Sequence, residues 1–385
     1  MEADIKSVSA AKQLAQTLCG EWNIRYIKDV VENGLCTYCG SCVALCDKIF
    51  EGDEVANVTK CPGDCPTCVP CPRSDLLKTD LEWKIFGKTR EAETLGNFLD
   101  AHVAKTTDKK VLGVAQDGGV VTTLLKYALE EGVVDGVISV RGLEWKAEAF
   151  LAKNFDELLI GASTKYTSAP SLVELTEAVT RKGLKNVAIV GTPCQIQGLR
   201  KILDDPNYDI IGKKVGLVVG LFCMESYFHT MLDDVRKKLG VSLVDITKMD
   251  IKGKNLNVYV KGKDEPAKIP LDDVKEFTRD ACHFCVDFAA ELADISVGSV
   301  GSPKGWSTVL TRTKRGIEVF DGAVKAGALE SQPIGDDLEK VRKISWKKQK
   351  SNLQNIADKI PKMDLPSRSG VNLARIYRTY RWRSD

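Results

Sequence analysis

An α/β domain with a small cysteine-rich module ahead of it is the fold class that this sequence predicts, on three observations. Helical and strand periods alternate from Val111 onward, the mark of an α/β sheet. Eight cysteines crowd into residues 36–71, with Gly and Pro between them. Glycine-rich turns fall where strands hand over to helices. At 385 residues the chain exceeds one ordinary domain, and 43% hydrophobic residues supply a real core. A net charge of +2 with both signs mixed gives no basis for bulk nucleic-acid binding. No apolar run is long enough to span a membrane. The start, "MEADIKSVSAAKQLAQTL", carries acids and lacks an apolar signal core. The expected location is the cytoplasm, free or docked on the cytoplasmic face of a membrane complex.

The elements follow in order. Residues 1–33 read as a helical segment, with Leu14, Leu18, Trp22 and Val30 apolar among charges. Cys19 there stands outside any ligand spacing and reads as a small buried hydrophobe. Residues 34–73 form the cysteine module, mostly loop, and a polar connector, 74–110, leads to the main domain, 111–338. In that domain "GGVVTTLLKYALEEG" (118–132) has helical spacing and Gly132 as its stop. "VDGVISV" (134–140) is a short buried strand. "SLVELTEAVTRKG" (171–183) is an amphipathic helix capped by Ser171. "KNVAIVGTPCQIQGLRKIL" (185–203) reads as strand, turn and helix, "KKVGLVVGLFC" (213–223) as an apolar strand, and "MLDDVRKKLGV" (231–241) as a helix. "NLNVYVKG" (255–262) alternates and is expected to be a more exposed strand, and "ADISVGSVG" (293–301) is a strand running into glycines. Residues 339–385 make a basic extension ending in "ARIYRTYRWRSD". That tail suits docking on a partner, or is a loose cationic end.

Cytosolic thiols stay reduced, so the eight crowded cysteines are not read as a disulfide framework. Cys36, Cys39, Cys42 and Cys46 follow C-x2-C-x2-C-x3-C, the spacing of bacterial ferredoxin-type iron–sulfur sites. Three thiolates two residues apart wrap one cuboidal cluster, and the fourth points to a second. Zinc also accepts four thiolates but usually takes two separated pairs. Cys61, Cys65, Cys68 and Cys71 put the long gap first, C-x3-C-x2-C-x2-C, before Pro72. Two [4Fe–4S] clusters are expected in this ferredoxin-like module. The preferred sharing joins Cys36, Cys39 and Cys42 with Cys71, and Cys61, Cys65 and Cys68 with Cys46.

A second set of thiols lies in the main domain: Cys194 in "GTPC", Cys223 in "GLFC", and Cys282 and Cys285 in "CHFC". Strand ends of an open α/β sheet meet at one edge, where ligands bind, so these four are candidates to cage a third cluster. Burial as small apolar residues or a redox dithiol at Cys282 and Cys285 are the alternatives. The turns "AQDGG" (115–119), "VGTPC" (190–194) and "SVGSVGSPKGWST" (296–308) suit approach of bare backbone amides to a phosphorylated cofactor; glycine also serves ordinary tight turns. "TKYT" (164–167) adds hydroxyls and a cation.

The blocks "AQDGGVVTTLLKYALEEGVVDG", "STKYTSAP", "VGTPCQIQGLRKI", "VGLFCMESYFHTML", "KMDIKGKN" and "CHFCVDFAAELADISVGSVGSPKGWSTVLTRT" together resemble the family of coenzyme F420 hydrogenase/dehydrogenase beta subunits over about 111–330. With the cysteine module in front, the layout is most similar to the input subunit of an F420H2 dehydrogenase. It also resembles the N-terminal half of F420-dependent sulfite reductases. The resemblance implies a flavin-binding α/β domain holding FAD and one [4Fe–4S] cluster on Cys194, Cys223, Cys282 and Cys285, three clusters in all, with coenzyme F420 as substrate. It implies a cofactor-binding set of Gln116, Asp117, Gly118, Gly119, Thr122, Thr164, Lys165, Tyr166, Thr167, Thr192, Pro193, Gly298, Ser299, Gly301, Ser302 and Trp306. Lys165 is the residue expected to hold a cofactor phosphate or steady reduced flavin. The activity implied is that of a flavoprotein oxidoreductase subunit that exchanges electrons with a redox partner protein or a membrane electron-transport complex. FAD takes two electrons as hydride and releases them singly, so it belongs between F420 and the clusters. No demanding acid–base step is required, in keeping with only three histidines. His283 is expected to tune or pack beside a cluster, and His229 to be structural. A ferredoxin-dependent reductase of an organic substrate such as a tetrapyrrole, and a non-catalytic relay, stay as alternatives on the same scaffold.

Overall fold

The computed structural model describes residues 24–359 apart from 25, 66–67, 75–77 and 91–92. Leu14, Leu18, Trp22, Cys19 and the aromatic-basic tail lie outside the described residues. Of the N-terminal helical reading, the helix Ile27–Glu32 is described, with Val30 buried as expected.

Thirteen strands occur among the described residues: β1 (Phe50–Glu51), β2 (Ala56–Asn57), β3 (Asp100–Thr106), β4 (Gly136–Leu143), β5 (Lys146–Ala152), β6 (Val187–Gly191), β7 (Val215–Leu221), β8 (Ile246–Lys252), β9 (Asn255–Val260), β10 (Ala267–Pro270), β11 (Ile295–Gly298), β12 (Ser307–Thr311) and β13 (Leu329–Pro333). An eight-stranded sheet runs in the order β13-β3-β12-β11-β7-β6-β4-β5. Its centre is parallel, β11 to β7, β7 to β6 and β6 to β4; the flanks are antiparallel.

Period two decides which face each side chain joins. In β6, Ala188 and Val190 enter one core with the helices Val120–Glu130 and Lys314–Lys325. Val187 and Ile189 enter the opposite core with the helices Ser171–Thr180 and Pro193–Asp204. A sheet covered on both faces reads as a continuous apolar run, as "VAIVG" does. A second, three-stranded sheet, β10-β9-β8, packs with the helix Thr230–Leu239 through Met231, Leu232, Val235, Met249 and Val258.

Three expectations change. The segment 74–110 is not only a connector: it contains the helix Lys78–Phe86 and β3, which sits between β13 and β12 in the main sheet. "DAHVAKT" hides its strand because only small or half-polar residues alternate along it. β9 is not an exposed strand, since Leu256, Asn257, Val258 and Val260 are buried under the neighbouring helix. Ser171 is the first helical residue and not the cap, which is Pro170; its hydroxyl accepts from Gln195 Nε2 at 2.8 Å. The basic extension begins as a helix, Leu338–Lys359, with Val341, Ser345, Lys348, Asn352, Leu353 and Ile356 buried along one stripe.

Candidate functional site

The carboxyl ends of β6 and β7, neighbours in the sheet, deliver two of the four main-domain cysteines. After β6, Thr192 caps the helix Pro193–Asp204, its amide donating to Gln195 Oε1 at 2.8 Å, with Pro193 in the first turn. Cys194 follows at once, its Sγ 3.3 Å from Thr192 Oγ1. After β7, Cys223 is tied by its amide to Phe288 O at 2.9 Å. Cys282 lies in the short 3-10 helix Asp280–Phe284, and Cys285 caps it. The Ser226 amide donates to Cys282 Sγ at 3.4 Å.

These four thiols are electrostatic neighbours. Cys223 senses Cys282, Cys194 and Cys285, and Cys282 senses Cys194 and Cys285. Burial pushes Cys194 and Cys223 up and Cys282 up to about 11. Burial acts on Cys285 too, yet the Lys348 and Arg73 cations outweigh it and bring this thiol below its ordinary value. Arg73 is buried and its guanidinium hydrogen-bonds Cys285.

Among the eight front cysteines, Cys36, Cys39, Cys42 and Cys71 are electrostatic neighbours, and Cys68 neighbours Cys71, Cys61 and Cys65. Cys39 and Cys42 both sense Cys36 and Cys71, and burial raises both thiols. Cys68, raised to about 11 chiefly by burial, senses Cys61 and Cys65, and Tyr208 lies near both Cys68 and Cys46. The groups run in series: Cys68 senses Cys71, and Cys39 senses Cys194. Lys201 binds Cys71 O at 2.9 Å and its charge opposes the burial of that thiol. Among the described residues no three His, Cys, Asp or Glu side chains converge closely enough to grip a single metal ion.

The expected cofactor set divides. Gln116, Thr164, Tyr166 and Thr167 come together. Gln116 Oε1 accepts from Ser163 Oγ at 3.0 Å and from the Thr164 amide at 3.4 Å, while its Nε2 donates to Met249 O at 3.2 Å. Tyr166 Oη accepts from the Ile251 amide at 3.0 Å, and Thr167 Oγ1 from the Ala147 amide at 3.0 Å. The Tyr166 carbonyl accepts from Ser226 Oγ at 3.0 Å, linking this loop to the residue that touches Cys282. Asp117 is raised by burial, against the pull of Lys252 and Lys248. Lys165 turns back on its own loop, donating to Gly161 O at 3.0 Å, to Ser163 O at 3.1 Å and to Ala162 O. Desolvation lowers its amine to about 8. Thr122 is half-buried on the first turn of Val120–Glu130.

The glycines are spoken for by the chain itself. A Cβ on Gly118 would meet Ala104 O at 2.6 Å and Ser307 N at 2.7 Å; on Gly298 it would meet Phe222 at 2.1 Å; on Gly301 it would meet Val341 at 2.6 Å. Gly119 adopts φ 67° at the helix start and backs onto Thr106 and Val111. Close packing against other parts of the chain gives each of these positions a reason to be glycine. Ser302 Oγ donates to Ser299 O and Trp306 O, both at 2.9 Å, closing that turn on itself, and Lys105 lies 5.0 Å over the Trp306 ring. His229 Nδ1 is 3.7 Å from Glu54, and the His102 ring packs on Phe320 at 5.0 Å.

Residues 101–175 match the N-terminal model, and 184–337 the C-terminal model, of the coenzyme F420 hydrogenase/dehydrogenase beta subunit. The chain belongs to this family. Coenzyme F420 hydrogenase subunit beta of Methanothermobacter thermautotrophicus is 40% identical over 71% of this chain and 99% of that one. An F420H2 dehydrogenase subunit of Methanosarcina mazei is 31% identical over 86% of this chain and 94% of that one. The coenzyme F420-dependent sulfite reductase of Methanocaldococcus jannaschii is 34% identical over 87% of this chain, which spans 52% of that enzyme. A chain of the F420-reducing [NiFe] hydrogenase complex from Methanosarcina barkeri superposes with a TM-score of 0.67 at 36% identity, over 70% of this chain and 94% of that one. Among the described residues no helix is long and apolar enough to cross a membrane.

The family match ends at 337, and several residues that shape the site lie outside it. Arg73 is the last residue of the module, ahead of the matched region, and Lys348, Asn352 and Asn355 follow that region. "WKKQK" gives no signal for a buried lysine; only the 3–4 spacing of Val341, Ser345, Lys348, Asn352 and Ile356 does.

Proposed function

We propose that this chain is the F420-handling subunit of an oxidoreductase, exchanging hydride with coenzyme F420 and single electrons with a redox partner protein. Three thiol groups arranged in series carry this reading: Cys194, Cys223, Cys282 and Cys285; Cys36, Cys39, Cys42 and Cys71; and Cys46, Cys61, Cys65 and Cys68. The donor set suits [4Fe–4S] clusters. Their four thiolates bind four separate irons of a cube, so they need not crowd around one ion. Buried thiols ionise only where positive charge stands by, and Arg73, Lys348 and Lys201 would add such charge beside bound clusters. FAD, when bound, converts a two-electron hydride into single electrons that the clusters carry one at a time.

The chain's own work is placement. Gln116, Ser163, Thr164 and Tyr166 hold the polar loops together, Lys165 knits the 161–163 turn, and Lys248 and Lys252 supply cations for an anionic cofactor near Asp117. The relatives named for F420 chemistry support the substrate; the front module, shared in length with the dehydrogenase subunit and the sulfite reductase, supports onward transfer to a partner. Anaerobic protein should contain about twelve irons and one flavin, and reduced F420 should bleach that flavin rapidly. Inertness toward F420 combined with turnover by reduced ferredoxin and an organic acceptor would overturn the proposal; so would loaded clusters with no flavin.

A further inference from the structure

The helix Leu338–Lys359 carries three donors on one face, Lys348, Asn352 and Asn355. All three reach the backbone of the strand-end thiol group. Lys348 Nζ donates to Cys223 O at 2.6 Å and to Asp287 O at 2.9 Å. Asn352 Nδ2 donates to Cys282 O at 2.8 Å and to Cys285 O at 2.6 Å, and Asn355 Nδ2 to His283 O at 3.0 Å. One helix therefore grips the carbonyls of three of the four cysteines. Its other contacts hold it down. Ser345 Oγ and Gln349 Nε2 donate to Thr94 O at 2.7 and 2.9 Å, Arg342 pairs with Glu93 at 2.7 Å, and Leu353 and Ile356 join the core of the front module.

Lys348 is 3% exposed. Its two hydrogen-bond partners are neutral carbonyls, and among the described residues no carboxylate lies within ion-pair distance of it. The Asp287 carboxylate is engaged by Lys78 at 4.0 Å and by Gln197 at 3.1 Å. A buried ammonium is expensive without negative charge nearby. The negative charge within its reach is that of Cys285, Cys223 and Cys282 as thiolates, ahead of the smaller pull of the Asp287 carboxylate, which is already engaged elsewhere. A cluster's reduction potential follows its net charge, burial and the hydrogen bonds around its sulfurs.

We infer that Leu338–Lys359 is a strap that closes the strand-end cluster site, and that Lys348 is its positioning and charge-compensating residue, making that cluster easier to reduce. This rests on the reading that Cys194, Cys223, Cys282 and Cys285 hold a cluster. The test uses full-length, anaerobically purified protein, iron analysis and EPR-monitored potentiometry. Lys348→Gln keeps a donor and removes the charge. It should shift one cluster signal to lower potential and leave the others in place, while Lys348→Arg stays near wild type. Asn352→Ala should leave the potential unchanged and speed iron loss to a chelator. Wild-type-like potentials for every signal in Lys348→Gln overturn the charge role. If Lys348→Gln comes out short of iron, full loading in Lys348→Arg supports the role, and equal loss in both overturns it. Unchanged chelator resistance in Asn352→Ala overturns the strap. Absence of any signal from this site in the wild type overturns the underlying cluster reading instead.

Discussion

Replacing Glu291 by Gln tests the clamp between the front module and the sheet domain. The carboxylate is 1% exposed and pairs with both Lys78 and Arg90. Lys78 begins the first helix after the module, while Asp287 and Glu291 follow Cys285 by a few residues. Burial alone would raise the Glu291 carboxyl, but Arg90 and Lys78 outweigh it and hold it at about 2, against an ordinary 4.5. That depression corresponds to about 3 kcal/mol, near the low end of the roughly 3–5 kcal/mol lost when a buried pair loses one member. The folded carboxyl titrates below the unfolded one. Its contribution is therefore complete above pH 4.5 and disappears as the pH falls toward 2. Measurement at pH 7 captures all of it. For a chain of 385 residues, the unfolding entropy is about 0.8 kcal/mol/K, so the melting midpoint should drop by about 4 °C. Lys78→Met should cost a similar amount, and the double variant less than the sum, because both remove one interaction. Anaerobic calorimetry on the four proteins checks this. A Glu291→Gln midpoint within about 1 °C of wild type, or strict additivity, would refute the clamp.

Cys194→Ala should remove about four irons and one EPR signal while sparing the rest; full iron content would dissolve that thiol group. Cys71→Ala and Cys46→Ala should each disturb a different front cluster, and indistinguishable spectra from the two would refute the division into two front groups. Arg279 is 2% exposed, stacked 4.9 Å from Phe228 and 5.6 Å from Tyr38, and donates to Glu54 O at 2.6 Å. Arg279→Leu leaves the buried Glu54 carboxylate with His229 and no permanent cation, at a cost of about 3 kcal/mol, the low end for a broken buried pair. Proteolysis should then cut 50–57 first, and an unchanged cleavage pattern would count against this latch. The Lys165 amine titrates near 8 when folded and near 10.5 when unfolded. The penalty for charging it is full below pH 8 and fades between 8 and 10.5, so wild type should gain up to about 3 kcal/mol relative to Lys165→Met across that window. A stability difference that stays flat with pH speaks against a desolvated amine there.

Period and cysteine spacing made the centre of the fold legible. β4, β6, β7 and β11 are apolar enough to announce themselves, and Cys194 and Cys223 stand where the strands β6 and β7 end. Polar strands were not legible. β3 gains its place from backbone pairing with β12 and β13, while its side chains, such as His102 and Lys105, say little. Glycines carry a second meaning that the letters hide. Gly118 and Gly298 read as anion turns in a string of letters, and the fold adds a packing reason for each, because another part of the chain occupies the Cβ position. Buried cations are the hardest class. Lys348 sits among other lysines in sequence and Arg73 in a run of Pro and Cys, and only tertiary packing singles them out.

The segment after Cys71 shows why the front module cannot be a loosely tethered carrier. Two residues on, Arg73 reaches Cys285, and Lys78 plugs into Asp287 and Glu291 beyond it. From the other side, Leu353 and Ile356 of the terminal helix enter the module's core while Lys348 and Asn352 hold the strand-end cysteines. Electron tunnelling falls steeply with separation, so a relay gains from fixed spacing, and a swinging module would gain from the opposite. Buried ionic and apolar contacts on both flanks of the same thiol group fix the spacing by two independent means. A chain built only to store iron, or to carry electrons by diffusion of a tethered domain, has no use for that duplication. The relay proposed above, in which the thiol groups of Cys39 and Cys194 hold neighbouring clusters, does.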